Sequence, residues 1–482
     1  MGGLEVSEIL LSQVLTASYS GRIDSTFFLK EYLNHKSFEF SYKLNQIANI
    51  KSGTTPADRD DDLKEGVMLL KTNNIRNNIL NKYSDINYFI YEEVNKKMKS
   101  SELKEYDVLV NIVGATLDVV GRVGYVTNSL PKSNITQAMS FLRLKNEYKT
   151  DFIPAYLFIF LQSKFGKIQL NRHARPTGQY NLNNEELGAV RVIKLDISVQ
   201  EKIEELVNIS LSTLIESNQF YQSAQNLLLE HLGLKDFNPP TQTVNIKSFT
   251  DSFGTSGRLD AEFYQEKYES YLEKIQAFNN GFIQIQQEYS QVKSKSKFDL
   301  SAYQYIEIGD INVSDGSYSF NEVAIEDLPA NAKIMVKKGD ILISTVRPNR
   351  GAITVIEHDR DDLIVSGAFT VLRRKVKSYF NNEFLKVLLR TEIYKDWLLQ
   401  FNVGTSYPVI KDEDILNLVI PNVEETIQTQ IADLIRQSNY LRIKSKGLLE
   451  KAKKAVELAI EKNQESALDF IKGKQTNDCN VH

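Results

Sequence analysis

One internal duplication limits the possible folds of this chain more than any other feature. The segment SGRIDSTFF begins at Ser20 and SGRLDAEFY begins at Ser256, a separation of 256 − 20 = 236 residues. Later matches keep the same order while the separation falls slowly: Asp107 with Asp340 (340 − 107 = 233), Ala138 with Ala368 (368 − 138 = 230) and Ile203 with Ile431 (431 − 203 = 228). Small loop deletions between two copies of one domain produce such a drift, and a period near 230 residues is far too long for a solenoid. The sequence therefore predicts two tandem, similar domains.

Length and composition agree with this arrangement. The chain has 482 residues, of which 42% are hydrophobic and 25% charged, with 58 Lys+Arg against 62 Asp+Glu. At roughly 150 residues per domain, such a length predicts two to four domains. Cys479 is the one cysteine, so no intramolecular disulfide can form, and we expect a reducing cytoplasm. The longest apolar stretch, residues 152–161, is about half of the ~20 residues that a membrane helix needs, and the first residues do not predict a signal peptide.

Each copy predicts the same succession of elements, which makes the fold class α+β. A β-rich half comes first, with apolar strands such as YDVLVNIVG in copy one and GDILISTV in copy two. A helix follows, beginning near Pro154 in copy one and near Phe384 in copy two. A loop containing Gly178 or Gly404 then leads into a short strand and one long helix. Each domain is therefore β-rich with helices and is followed by a long helix.

The two long helices carry a heptad-like seam with small residues at several positions. We expect them to pair with each other as an antiparallel coiled coil, although each could instead pack only on its own domain. The predicted helix-pairing residues are Ile203, Leu206, Ser210, Phe220, Ala224, Leu227, Ile431, Leu434, Ser438, Leu441, Leu448 and Ala452. The predicted organisation is an N-terminal segment (1–19), domain 1 (20–198), spacer helix 1 (199–235), a linker (236–255), domain 2 (256–425), spacer helix 2 (426–463) and a frayed polar tail (464–482).

Motifs for catalysis and for metal binding are missing from the sequence. There is no Walker loop, no HExxH and no GxSxG. Asn238-Pro239-Pro240 is similar to the adenine-binding corner of amino-methyltransferases, but Thr241 stands where an aromatic residue is needed, so a linker that ends a helix is the simpler interpretation. The acidic clusters at 58–62 and 359–362 fit polar turns, and the cluster at 412–414 fits the start of a helical turn, better than a metal-dependent nuclease. We predict no catalytic residue, no bound metal and no cofactor on this chain.

Positive charge collects in stretches without acidic residues, such as 119–146 and 152–184. Binding to phosphates requires such local concentration, and Arg, Asn and Gln can make paired bonds to base edges. These stretches and their counterparts in copy two predict a DNA interface. The candidate DNA-binding residues are Lys71, Asn73, Asn74, Arg76, Arg122, Lys132, Arg172, Arg175, Gln179, Tyr180, Lys337, Lys338, Arg347, Asn349, Arg350, Arg373, Arg374, Ser406 and Tyr407.

The ordered set of motifs resembles the DNA-specificity (S) subunits of type I restriction-modification systems. The resemblance covers about residues 20–460. It rests on the two SGR segments, on VMLLKTNNI and YIEIGDI, on EYDVLVNIVGATLDVVGRVGYV and KKGDILISTVRPNRGAITVI, and on the closing VRVIKLDISVQEKIEEL and LVIPNVEETIQTQIADL. Two features depart from the commonest pattern: VIKLDIS lacks the proline of its counterpart, and about nineteen residues precede the first copy.

This resemblance implies a function, a set of partners and a site for the chemistry. Each of two target-recognition domains would read one half of a split sequence in double-stranded DNA, and the paired helices would set the gap between the halves. Two methyltransferase subunits would bring S-adenosylmethionine and methylate adenine N6, with a motor-nuclease restriction subunit as an optional partner. The chain itself would be a non-catalytic recognition subunit. Two alternatives stay open: a stand-alone nuclease or DNA methyltransferase, and a scaffold that binds proteins.

Overall fold

A computed structural model gives the fold of the chain. It describes residues 7–473 apart from 18–20, 34–40, 57–59, 61, 62, 64, 85, 87, 243, 294–298 and 405. Ser20, Cys479 and three members of the first acidic cluster, Asp58, Asp61 and Asp62, lie outside the described residues. In the described part of the chain, no helix is both long enough and apolar enough to cross a membrane.

Short strands and helices alternate along the chain and are interrupted by two long helices. Up to the end of the first long helix, the elements are α1 (Leu11–Ala17), α2 (Lys30–Leu33), β1 (Ser41–Lys43), α3 (Leu44–Ile47), β2 (Ala48–Ser52), β3 (Val67–Leu70), β4 (Asn78–Leu80), β5 (Phe89–Ile90), α4 (Glu92–Lys97), β6 (Val108–Asn111), β7 (Val113–Gly114), β8 (Val123–Val126), β9 (Ser133–Ile135), β10 (Met139–Leu144), α5 (Pro154–Gln162), α6 (Lys164–His173), β11 (Arg175–Pro176), β12 (Tyr180–Asn181), α7 (Asn184–Ala189), β13 (Arg191–Ile193) and α8 (Ile197–His231). The later elements are α9 (Phe253–Ser256), α10 (Glu266–Gln276), β14 (Phe282–Gln284), α11 (Ile285–Glu288), β15 (Tyr289–Gln291), β16 (Ala302–Ile306), β17 (Asn321–Ala324), β18 (Ala332–Met335), β19 (Ile341–Ser344), β20 (Ile353–Val355), β21 (Leu363–Ser366), β22 (Phe369–Arg374), α12 (Asn382–Leu389), α13 (Glu392–Trp397), α14 (Asp412–Asn417), β23 (Val419–Pro421), α15 (Glu425–Glu461) and α16 (Gln464–Lys472).

The chain divides into two compact units. Unit 1 comprises Met1–Ile215 and Leu441–His482, and unit 2 comprises Glu216–Tyr440. Each unit therefore holds one predicted copy together with one part of each long helix. The domain limits predicted from the sequence, such as 20–198 and 256–425, stay predictions.

An antiparallel sheet forms the centre of unit 1. Its strands run in the order β2-β10-β6-β8, and β4 adds to β8 in parallel. Strand β6 is apolar until its last residue and is buried at every position, as expected of a strand covered on both faces. Helix α5 packs against β6 and β8, begins at Pro154 and is buried from residue 155 to residue 161. Its side chains lie in the largest hydrophobic core of the unit.

Unit 2 contains a sheet of the same order, β15-β22-β19-β20, in which every neighbouring pair is antiparallel. Helix α12 packs against β20 and is stabilised at its start by Asn381, whose side chain accepts a hydrogen bond from the backbone of Glu383. Residues of a second sheet, β17-β16-β21-β18, form a separate small core together with residues of β19 and β22, such as Leu342 and Val371. The helices predicted near Pro154 and Phe384 are both confirmed.

The long helices α8 and α15 pack together antiparallel within each unit. In unit 1, the hydroxyl of Ser210 donates to the carbonyl of Ser445 (2.9 Å), the hydroxyl of Ser445 donates to the carbonyl of Ser210 (2.8 Å), and the backbone of Asp196 bonds Gln464. In unit 2, Ser217 donates to the carbonyl of Ser438 at 2.7 Å, and His231 lies 3.0 Å from Glu424. The prediction that the long helices pack together is confirmed.

The buried positions of helix α8 match the predicted seam in its first half. In its second half, two buried positions lie one residue later than predicted. Phe220 and Leu227 are only half-buried, whereas their neighbours Tyr221 and Leu228 are buried. A straight helix has 3.6 residues per turn, so a strict heptad drifts around its surface by about 20° per repeat. Of the other predicted pairing residues, the buried ones are Ile203, Leu206, Ser210, Ala224, Ile431, Ser438 and Ala452, and the half-buried ones are Leu434, Leu441 and Leu448.

The ends of the long helices differ from the predicted bounds. Helix α8 ends at His231 rather than at residue 235, because Gly233 adopts a left-handed conformation (φ +62°) that stops the helix. The prediction of a frayed tail from residue 464 is wrong for residues 464–472, which form α16. Asn463 accepts a hydrogen bond from the backbone of Ser466 (2.8 Å), and Ala467 is buried in the core of unit 1. The short apolar repeat of α16 was too weak a signal beside its polar surroundings.

We expect Ser210→Leu to lower the free energy of unfolding by about 1–3 kcal/mol, because a larger side chain cannot fit between two backbones this close. Chemical denaturation of the full chain measures the effect. Ser212→Leu is the matched control, since Ser212 is exposed on the same helix, and it should change stability by less than about 0.5 kcal/mol. Equal losses for the two variants would contradict the close approach of the helices.

Candidate nucleic-acid interface

A buried aspartate lies before the central strand of each unit and is held by one arginine. In unit 1, Asp107 accepts from Nε (2.7 Å) and Nη2 (2.6 Å) of Arg143; in unit 2, Asp340 accepts from the same two atoms of Arg373, both at 2.7 Å. Burial raises the pKa of Asp107, although the hydrogen bonds from Arg143 act in the opposite direction. The guanidinium of Arg373, a predicted DNA-binding residue, is therefore already bound within the fold.

In the SGRIDSTFF motif of unit 1, Arg22 bonds Asp24 of the same motif and also contacts other parts of the unit. Its guanidinium makes two bonds of 2.8 Å to Asp24, donates to the carbonyl of His173 at 3.0 Å and lies 4.7 Å from the ring centre of Phe27. The hydrogen bond from Arg22 holds the pKa of Asp24 well below its usual range. This part of the duplicated motif therefore stabilises the fold.

The second copy of the motif repeats this arrangement. Arg258 bonds Asp260 at 2.8 and 2.5 Å, donates to the carbonyl of Asn402 at 2.8 Å and lies 4.6 Å from the ring centre of Phe263. The hydrogen bond to Asp260 raises the pKa of Arg258. The strongest sequence match between the two copies thus marks a structural arginine rather than a residue of the predicted interface.

A third repeated contact is made by a buried glutamine in the first turn of each long helix. Gln200 accepts from the backbone of Ile153 (2.9 Å), and Gln428 accepts from the backbone of Asn381 (2.7 Å). Both side chains are fully buried. Their separation, 428 − 200 = 228 residues, equals that of Ile203 and Ile431, and this signal could have identified them from the sequence.

In unit 1, three predicted DNA-binding residues come together on a small hairpin. Strands β11 and β12 carry Arg175 and Tyr180, and β12 pairs with β7, so that Tyr180 lies opposite Gly114. Gln179 is exposed at the turn. The Nε of Arg175 donates to the buried carboxylate of Glu186 at 2.7 Å. The guanidinium of this partly exposed arginine is therefore hydrogen-bonded within the fold.

Arg172 lies in the last turn of α6 and makes several contacts within the fold, although the sequence predicts that it binds DNA. Its Nε donates to the carbonyl of Phe27 at 3.1 Å, and its guanidinium lies 4.3 Å from the ring centre of Phe27. Burial, and then the charge of Arg22, lowers the pKa of Arg172. Burial also lowers the pKa of the neighbouring His173 to about 4, so the imidazole is neutral near pH 7.

The loop at residues 71–78 is compact. The ammonium of Lys71 lies 2.9 Å from the ring centre of Tyr88, and its backbone nitrogen donates to Oδ1 of Asn74 at 2.7 Å. Arg76 donates from Nε to the carbonyl of Asn73 at 3.2 Å. Asn73 and Arg76 are exposed, which leaves their polar atoms accessible to a ligand.

The two remaining basic candidates of unit 1 form surface ion pairs. Arg122 bonds the carboxylate of Asp118, and Lys132 bonds that of Glu92, both at 2.5 Å. The hydrogen bond to Glu92 raises the pKa of Lys132. Exposed ion pairs are weak and screened by salt, so a phosphate group could replace these carboxylates.

In unit 2, two segments far apart in sequence bring five predicted residues together. The turn at 347–350 carries Arg347, Asn349 and Arg350, and the loop before residue 410 carries Ser406 and Tyr407. The backbone of Arg347 donates to the carbonyl of residue 408 at 2.7 Å, and the guanidinium lies 5.3 Å from the ring centre of Tyr407. All five side chains are exposed.

Arg390 is not among the residues predicted from the sequence, and it holds this turn in place. Its guanidinium is buried and donates to the hydroxyl of Tyr221 (2.9 Å), to the carbonyl of Gly351 (2.5 Å) and to that of Val313 (2.9 Å). An isolated arginine at the end of the apolar run FLKVLL was the available signal. Arg390 thereby connects the turn at 347–350 to the long helix α8 inside unit 2.

Lys337 and Lys338 are exposed and form no ion pair among the described residues, whereas Arg374 donates to the carbonyl of Phe380 at 3.1 Å. The described residues also contain no group of three His, Cys, Asp or Glu side chains arranged to hold a metal ion.

Two curated proteins are similar to part of the chain. The type I restriction enzyme HindI specificity subunit of Haemophilus influenzae is 32% identical over 146 residues, and the EcoBI specificity subunit of Escherichia coli is 29% identical over 145 residues. The chain is similar to type I restriction specificity subunits. The matches cover 29% and 30% of the chain, and they span under a third of the length of these relatives (31% and 28%). No protein-family model matches.

Solved type I specificity subunits are also among the similar structures. The S subunit from M. genitalium has 11% sequence identity and a TM-score of 0.38, covering 91% of this chain and 97% of its own. The HsdS subunit from Thermoanaerobacter tengcongensis has 13% identity and a TM-score of 0.26, covering 90% of this chain and 97% of its own. The resemblance to specificity subunits predicted from the motifs is confirmed by the curated relatives.

We expect Arg373→Ala to lower the free energy of unfolding by about 1–3 kcal/mol, because it leaves the buried carboxylate of Asp340 without its two guanidinium bonds. Lys377→Ala is the control, since Lys377 is exposed in the following loop, and it should leave stability unchanged. Denaturant titration of both variants measures this difference. An Arg373→Ala variant as stable as the wild type would show that the pair does not stabilise the fold.

Proposed function

We propose that this chain is the DNA-specificity subunit of a type I restriction-modification assembly. Its two units act as target-recognition domains, and each reads one half of a bipartite sequence in double-stranded DNA. The chain itself carries out no catalysis. Two methyltransferase subunits supply S-adenosylmethionine and methylate adenine N6, a restriction subunit is an optional further partner, and the assembly acts in the cytoplasm.

The observation that carries this proposal is the contrast between the frameworks of the two units and their exposed loops. The frameworks repeat the same bonds: Arg22 to Asp24 matches Arg258 to Asp260, and Arg143 to Asp107 matches Arg373 to Asp340. The loops that present basic and amide groups differ: a hairpin with Arg175 in unit 1 and a turn with Arg347 in unit 2. Two related frameworks with different contact groups suit two different half-sites. The similarity to curated specificity subunits supports the same interpretation.

The long helices supply the second part of the proposal. We propose that α8 and α15 form an antiparallel coiled coil that acts as the spacer between the two readers. The reciprocal serine bonds in unit 1 and the bond from Ser217 to Ser438 in unit 2 support a close, fixed register. A fixed register would give one fixed gap between the two half-sites.

A map of methylated adenines in the source cell tests this function. Deletion of the chain should remove methylation from one bipartite motif, and a plasmid copy should restore it. Unchanged methylation after deletion would overturn the proposal. Cleavage or methyl transfer by the purified chain without a partner would instead favour the stand-alone enzyme, and partner binding without any DNA binding would favour the scaffold.

We expect Lys337→Ala and Lys338→Ala to weaken DNA binding equally for all sequences. Each lost phosphate contact should reduce the slope of log affinity against log salt concentration by about 1. Binding titrations at several salt concentrations measure this slope. Lys454→Ala is the control, because Lys454 is exposed on α15 outside the predicted loops, and its slope should equal that of the wild type. Unchanged slopes for all three variants would place the phosphate contacts elsewhere.

A further inference from the structure

The backbone of Arg347 has a conformation that is unusual for a residue with a side chain. Its φ and ψ are 49° and 54°, in the left-handed region, and among the described non-glycine residues only Asn77 and Tyr106 also have a positive φ. Such conformations are uncommon and costly outside glycine, and they persist where the surroundings hold them. When the two copies are aligned, Val346 corresponds to Val113, and Arg347 therefore corresponds to Gly114. Unit 2 thus places a cation where unit 1 has no side chain.

The surroundings fix this conformation from three directions. The backbone nitrogen of Arg347 bonds the carbonyl of residue 408, and Val346 pairs with Val409. Pro348 is buried, and the buried Arg390 bonds the carbonyl of Gly351 at the other end of the turn. The turn is therefore preorganised to present the side chain of Arg347 in one direction.

Among the described residues, the guanidinium of Arg347 has an aromatic neighbour and forms no ion pair with a carboxylate. It lies 5.3 Å from the ring centre of Tyr407, which is 47% exposed. Stacking on an aromatic ring orients the plane of a guanidinium and leaves its edge free to donate hydrogen bonds. Six of the eight arginines of unit 2 donate to acceptors within the fold: Arg258, Arg360, Arg373, Arg374, Arg390 and Arg436.

We propose that Arg347 reads a guanine in the half-site contacted by unit 2, with Tyr407 as the residue that orients its guanidinium. A guanidinium edge fits the N7 and O6 acceptors of guanine in the major groove with two parallel hydrogen bonds, and no other base offers this pair. Arg350 is exposed in the same turn and has no aromatic neighbour among the described residues, so we assign it a phosphate contact within the same proposal. This inference rests on the proposed function.

The test is the methylated-adenine map of cells that carry the wild-type, Arg347→Ala, Arg347→Lys or Arg350→Ala chain, expressed at a low level so that methylation is incomplete. In the wild type, one position of one half-site should prefer guanine by about 5- to 150-fold. Both Arg347 variants should lose this preference while the other half-site stays unchanged, because a lysine keeps the charge but lacks the planar fork. Arg350→Ala should lower methylation at all motif sites equally and keep the guanine.

Two variants of Tyr407 test whether its ring orients the guanidinium of Arg347, because both leave the charge of Arg347 in place. Tyr407→Phe keeps the ring and should keep the guanine preference, whereas Tyr407→Ala should weaken it. A guanine retained by both Arg347 variants would overturn the inference, as would a loss of all methylation in both of them at normal chain levels. A wild-type methylation map that does not depend on this chain would contradict the proposed function itself, which distinguishes the two failures.

Discussion

Serine side chains set the distance between the two long helices, and the packing of both units depends on that distance. In unit 1, Ser210 and Ser445 each donate to the carbonyl of the other, which requires the two backbones to lie closer than leucine side chains would allow. In unit 2, Ser217 and Ser438 occupy the same role. Helix α8 is also part of the main core of each unit, through residues such as Ile203 and Leu228. A change in the distance between the two helices would therefore move core residues of α8, against which the other elements of each unit pack.

The repeated bonds explain why two domains with different surfaces keep one architecture. A buried carboxylate or amide is costly unless it is hydrogen-bonded, so each such group fixes its partners in one geometry. Asp340 fixes Arg373 at the central strand, and Gln428 fixes the start of the long helix to the segment before α12. The exposed loops lie outside these bonds. They can differ between the units without loss of the fold, which is the property that a two-part reader of DNA requires.

Much of the architecture could be predicted from the sequence, because local patterns record it. The order of strands and helices and the pairing of the long helices follow from apolar periodicity and from the duplication. The site was less predictable, since the availability of an arginine depends on partners that are distant in sequence. Arg373 looks like a DNA contact within the run RRK, but its partner Asp340 lies 33 residues earlier. Arg390 looks like an ordinary surface residue at the end of a helix, but it is buried.

The number of available cations also bears on how tightly this chain can hold DNA without help. Because most arginines of unit 2 are bound within the fold, the cations free to meet phosphates there are mainly lysines such as Lys337 and Lys338, together with Arg350. The whole chain carries a formal charge of −4, so repulsion from its acidic surfaces opposes the approach of DNA. Under the proposed function, a small number of phosphate contacts and an unfavourable net charge predict a low affinity of the chain alone for DNA, which falls further with salt. Under the proposed function, we expect a preorganised side chain such as Arg347 to provide sequence discrimination and the partner subunits to supply additional affinity for the duplex.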